Sequence, residues 1–116
     1  MRIEIRKNGS AVIVTFDTQA EKFESDYERN KFFRELHGWN QIVPNNGKRY
    51  EYRRSGLLDE IPHVKVADST FIVAMEHMKR VEEFFDAWSD KVECEMMKVM
   101  MQDRNIIRQL MERRAR

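Results

Sequence analysis

Lys48-Arg49-Tyr50-Glu51-Tyr52-Arg53-Arg54 is the stretch of this chain best equipped for chemistry. Side chains alternate along an extended strand, so Tyr50 and Tyr52 share one face while Arg49, Glu51 and Arg53 share the other. Arginine grips phosphate oxygens with paired hydrogen bonds, and tyrosine stacks on bases. With Lys48 and Arg54 at its ends the segment carries a net charge of +3 beside a turn. It resembles the basic wing with which many nucleic-acid binders touch the backbone. The competing reading makes both tyrosines core residues and pairs the arginines with acids such as Asp59 and Glu60.

Other chemistry finds little support. His37, His63 and His77 lack the spacing of three or four residues that gathers metal ligands. Cys94 lies between Glu93 and Glu95, whose charge disfavours a thiolate. Ser10, Ser55 and Ser69 lack a glycine-flanked elbow, and Gly9, Gly38, Gly47 and Gly56 are too scattered for a phosphate loop. The carboxylates form no recognisable acid–base pair. The expectation is a protein that is not an enzyme, with no cofactor, no metal and no small-molecule substrate.

The elements that must hold the basic segment can be read from turns and periodicity. Asn45-Asn46-Gly47 is a hairpin turn between strands 39–43 and 48–54. Asn8-Gly9 is a second such signal, predicting a hairpin of residues 1–6 with 11–16. Thr18 and Glu21 form a capping-box pattern. The helix it starts carries Phe23, Tyr27, Phe32, Phe33 and Leu36, packs on that hairpin and ends at Gly38. Trp39 is expected as a core anchor; exposed, it would mark a binding surface. Residues 55–62 form a short helical turn or loop around Leu57, Leu58 and Ile61, and residues 63–67 a fifth strand.

From residue 69 to residue 116 there is no proline or glycine. Steps of three and four residues connect Phe71, Ala74, Met78, Val81, Phe85, Trp88 and Val92 into a coiled-coil seam. The seam slips at Glu95 and resumes through Met96, Val99, Asp103, Ile106 and Leu110, as a stutter does. This predicts a long C-terminal helix, about 70 Å if unbroken, with a bend near residues 102–105. The fold class is α+β: a small antiparallel sheet of four or five strands, one packing helix and this long helix. Residues 1–101 form a single domain and 102–116 a helical tail. Met96, Val99, Met100, Ile106, Ile107 and Leu110 are the expected homodimerisation or partner-binding face.

Charge is divided along the same region. Residues 76–95 hold seven acids and three bases, whereas residues 101–116 hold five arginines and two acids. Opposite signs favour antiparallel pairing or exchange of tails between protomers; ordinary solvated faces are the alternative. Arg113 and Arg114 join the expected nucleic-acid contacts.

Bulk composition sets the frame. With 41% hydrophobic and 35% charged residues, 116 residues suffice for one core. No apolar run is long enough to span a membrane, and residues 1–6 lack the apolar stretch of a signal peptide. The lone Cys94 excludes an internal disulfide and fits a reducing, cytoplasmic setting. The net charge of +1 leaves attraction to polyanions to local patches. The expected function is non-enzymatic binding of RNA, DNA or a ribonucleoprotein such as the ribosome, by a homodimer. The alternative is a regulatory module that captures a protein partner through its methionine-rich C-terminal helix.

Overall fold

The computed structural model describes residues 10–100, together with residues 104, 105 and 108. β1 (Ser10–Thr18) turns Val12, Val14 and Phe16 to one side and Ala11 and Ile13 to the other, as its period-two pattern requires. A single 3₁₀ turn (Ala20–Lys22) leads to α1 (Asp26–His37). β2 (Trp39–Asn45) and β3 (Lys48–Arg54) form a separate two-stranded sheet. After them come α2 (Leu57–Glu60), β4 (His63–Ala67), β5 (Thr70–Ala74), α3 (Met78–Ala87) and β6 (Val92–Met100).

The main sheet runs β4-β5-β1-β6, every neighbouring pair antiparallel. Phe16, Phe71, Val73 and Val92 on one face pack with Phe32 and Leu36 of α1, Leu57 and Leu58 of α2, and Val81 and Phe85 of α3. Aromatic rings dominate this core: Phe16 lies 5.7 Å from Phe32 and 5.4 Å from Phe85, centroid to centroid. Offset and edge contacts of this kind add to the area that they bury. The opposite face carries a smaller cluster of Ala11, Ile72 and Ala74, flanked by Ile13, Val64 and Val99.

The mixed α+β class holds, and the long C-terminal helix does not appear. Residues 70–74 and 92–100 are strands, leaving a ten-residue helix between them. Asp68 and Ser69, which suit a helix cap, instead turn β4 into β5. Phe71, Ile72 and Val73 favour extended backbone, which buries them on both sheet faces. Past α3 the chain turns without glycine or proline, the amides of Lys91 and Val92 both donating to the Trp88 carbonyl. Val92, Cys94 and Met96 then face the core with Glu93 and Glu95 between them. The break in the seam at Glu95 marks this period-two strand rather than a stutter. Met96, Val99 and Met100 therefore lie on β6, on no helix. Arg104, Asn105 and Arg108 are helical, while Ile106, Ile107 and Leu110 lie outside the described residues.

Two further expectations change. β1 is hydrogen-bonded to β5 on one side and β6 on the other, so it has no edge for an Asn8-Gly9 hairpin. Residues 1–6 lie outside the described residues. Thr18 stays in β1 opposite Val92 and caps nothing. The cap of α1 is Ser25, whose Oγ accepts from the Glu28 amide at 3.2 Å, while Glu28 Oε1 accepts from the Glu24 amide at 2.8 Å. Gly38 ends α1 as expected, with φ at 77° and its amide donating to the Arg34 carbonyl.

Among the described residues, no helix is long and apolar enough to cross a membrane.

Candidate nucleic-acid interface

The β2–β3 hairpin closes through Asn46 and Gly47, with φ of 52° and 76°. Two successive positive φ values are those of a type I′ turn, whose twist matches paired strands. Every residue of β3 is exposed, so the hairpin stands clear of the core.

Its root is fixed. Arg53 Nη2 donates to Asp59 Oδ2 at 2.6 Å and to the His37 carbonyl at 2.9 Å. The same Asp59 oxygen accepts from the Gly56 amide at 2.9 Å, which ties the start of α2 to the hairpin. The entering and leaving chains cross at Gly38 and Gly56. A Cβ on Gly56 would fall 2.1 Å from the Gly38 nitrogen, so this crossing needs glycine. His37 sits beside the root with its ring parallel to that of Phe33. Burial, then the nearby Lys65 and His63, lowers its pKa against an opposing pull from Asp59.

Register divides the side chains between the faces. Trp39 opposes Arg54, Gln41 opposes Tyr52, Val43 opposes Tyr50 and Asn45 opposes Lys48. These eight residues therefore share a face, since directly opposed residues in an antiparallel pair do. Asn40, Ile42 and Pro44 lie on the other face with Arg53, Glu51 and Arg49. Tyr50 and Tyr52 are 42% and 47% exposed, which excludes a core role. Arg54 donates from Nε to Gln41 Oε1 at 2.6 Å, and its Cζ lies 5.7 Å from the centre of the Tyr52 ring.

The tyrosine face continues onto α1. Arg34 Cζ lies 4.2 Å from the Trp39 ring centroid, close enough for a cation–π contact. A recess of about 240 Å³ is lined by Tyr27, Lys31, Arg34, Glu35, Trp39 and Ser55. Tyr27, Lys31 and Arg34 stand four and three residues apart and so share one side of α1. Tyr27 is 72% exposed. Glu35, the carboxylate here, is held by the Trp88 indole at 3.2 Å and by Lys31 at 3.9 Å. From tip to helix the strip reads Lys48, Tyr50, Tyr52, Arg54, Trp39, Arg34, Lys31, Tyr27.

The structure thus groups Lys48, Tyr50, Tyr52 and Arg54, turns Arg49 to the other face and engages Arg53 in the root. Arg53 pairs with Asp59, one of the two acids named for the competing reading; Glu60 pairs instead with Arg80, at 2.5 Å. Arg113 and Arg114 lie outside the described residues. Arg34 and Lys31 escape sequence reasoning, which reads Tyr27 only as one of the packing aromatics of the helix, and Trp39 as a core anchor that would mark a binding surface if exposed. Counting back from the Asn46-Gly47 turn puts Trp39 on the tyrosine face, but its approach to Arg34 depends on how α1 meets β2.

Elsewhere, burial followed by the charges of Asp86 and Glu95 pushes the Cys94 thiol up to about 11, away from nucleophile chemistry. Among the described residues, no group of three His, Cys, Asp or Glu side chains could hold a metal ion. No protein-family model, curated protein or solved structure matches this chain.

Proposed function

We propose that this chain is a non-enzymatic nucleic-acid-binding protein that takes a single-stranded segment along the strip from Lys48 to Tyr27. The carrying observation is the register that sets Trp39, Tyr50 and Tyr52 on one exposed face with Arg54 and Lys48. Proteins that bind single strands combine aromatic platforms for bases with cations that follow the backbone. Duplex bases are stacked on one another and leave no face for Tyr50 or Tyr52, so the strip favours unpaired nucleotides. Lys48, Arg54, Arg34 and Lys31 supply positive charge along it. Arg49, projecting from the opposite face near the tip, supports phosphate contact from the second side.

The test is fluorescence anisotropy with labelled single-stranded RNA and DNA of about 12 nucleotides, within the usual site size of such proteins. A duplex of equal length is the control. Tighter binding to the single strand, weakened by Tyr52→Ala and by salt, is the expected result. Equal affinity for the duplex, or binding unchanged in Tyr52→Ala, contradicts the reading.

The partner-capture alternative needs a methionine-rich helix. Met96, Met97 and Met100 belong to a strand, and Met101, Ile106, Ile107, Leu110 and Met111 of the segment that this alternative uses lie outside the described residues.

A further inference from the structure

The two outer strands of the main sheet differ as edges. β4 has five residues and a register irregularity between Lys65 and Ala67. Short, bulged edges resist pairing with other chains. β6 has nine residues in unbroken register with β1. Among the described residues, no strand pairs with its outer edge. Long regular edges of this kind are templates for added strands.

A groove follows that edge. It has a volume of about 280 Å³ and is lined by Met78, Glu82, Phe85, Asp86 and Ser89 from α3 and its end, and by Val92, Cys94 and Met96 from β6. No residue of β1 or α1 contributes, so the groove lies at the margin between α3 and β6. Its floor is apolar and its rim acidic, which calls for an extended strand that carries a cation next to an apolar residue.

β6 itself meets this requirement. In an antiparallel pair about a two-fold axis, each residue opposes a residue of the same face. Centring the pair on Cys94 opposes Glu93 with the second copy's Glu95. Centring it on Glu95 or Lys98 opposes each with itself. Like charges directly opposite destabilise a strand pair. Met96 and Met97 are free of this defect as centres. With Met96 on the axis, Lys98 opposes Cys94 of the second copy, whose groove is rimmed by Asp86 and Glu82. The same register puts Glu95 opposite Met97.

We propose that the outer edge of β6 is a self-association surface. A second copy of this chain docks antiparallel on it, with Met96 at the two-fold axis and each Lys98 facing Asp86 of the other copy. The interface is independent of the nucleic-acid reading, and it is tested without nucleic acid.

Sedimentation equilibrium of the full chain provides the test. The wild type is expected to be dimeric at roughly 100 µM, with the dimer weakened by salt. Lys98→Glu should raise the dissociation constant about tenfold or more, and adding Asp86→Lys to it should restore most of the loss. Lys98 and Asp86 are both exposed, so these variants keep the fold. Met96→Cys in a Cys94→Ser background should oxidise to a disulfide-linked dimer. Directly opposed antiparallel residues stand about 4.5–5.5 Å apart at Cα, within disulfide reach. A monomer throughout, a dimer indifferent to Lys98→Glu, or a Met96→Cys variant that dimerises without cross-linking overturns the proposal. Binding of a basic peptide without self-association also overturns it.

Discussion

Arg34 Cζ lies 4.2 Å from the centroid of the Trp39 ring, joining α1 to the root of the β2–β3 hairpin. The two side chains come from different elements separated by Gly38, whose positive φ turns the chain between them. The contact makes one surface of the hairpin tyrosines and the exposed side of α1.

Replacing Trp39 by alanine should therefore weaken single-strand binding by about 1–3 kcal/mol, the usual value of one base–aromatic stack. Arg34→Ala should do so by less, because Tyr52 and Trp39 remain. In a Trp88→Phe background, Trp39 fluorescence should change on addition of oligonucleotide. Unchanged emission together with unchanged affinity would remove Trp39 from the interface.

Arg49 and Arg53 should separate in mutagenesis although they are four residues apart. Arg49→Ala should leave the fold intact and reduce the salt slope of binding by about one. Arg53→Ala breaks the bonds to Asp59 and His37. As this pair is partly exposed, the cost in global stability should be about 1 kcal/mol or less. Amide exchange across β2 and β3 should nevertheless accelerate, because the root is no longer fixed.

Gly56→Ala should destabilise the chain by roughly 1–3 kcal/mol, as overpacking does, since the added Cβ meets backbone and not a movable side chain. Thermal melts would show it. A melting temperature equal to wild type would refute the close crossing of Gly38 and Gly56.

Lys91 Nζ donates to Glu28 Oε2, joining the turn before β6 to the first turn of α1. The Lys91 hydrogen bond, with help from the Glu24 amide, lowers the Glu28 pKa; the Glu28 hydrogen bond in turn raises that of Lys91. A lowered carboxyl pKa stabilises the fold above the ordinary carboxylate range and loses that contribution as pH falls through it. A raised ammonium pKa stabilises below the ordinary lysine range and loses its contribution as pH rises beyond it. Glu28→Gln should lower the melting temperature at neutral pH and make it less sensitive to acid.

Cys94 should react slowly with iodoacetamide in the native protein at pH 8, because a thiol with a pKa near 11 is almost wholly protonated there. Asp86→Asn removes one of the raising charges and should speed the reaction modestly. Native reactivity equal to that of the unfolded chain would contradict the half-buried, acid-flanked setting of the thiol.

Much of the hairpin was legible in the sequence because its signals are local. Asn46-Gly47 fixes the turn, and period-two alternation then assigns Tyr50, Tyr52 and Arg53 to faces. Gly38 as a helix end and the buried Leu57, Leu58 and Ile61 were likewise within reach. The C-terminal half misled because apolar residues picked at steps of three and four can also be drawn from a strand–helix–strand sequence. Val92, Cys94 and Met96 show the alternation, but the turn ahead of them uses Trp88 to Lys91, with no glycine or proline to announce it. Thr18 and Ser25 both begin a capping pattern, and only pairing with Val92 excludes Thr18. The meeting of Arg34 with Trp39 depends on packing between elements, which no local pattern encodes.

The central claim is that the exposed tyrosine face holds unpaired nucleotides, and the most direct measurement compares Tyr50→Ala/Tyr52→Ala with wild type. Anisotropy would be read on a labelled single strand and on a matched duplex at near-physiological salt. The account predicts single-strand preference in the wild type, a loss of roughly tenfold or more in the double variant, and an unchanged melting temperature. A double variant that binds single strands as tightly as wild type, with its fold intact, would contradict it.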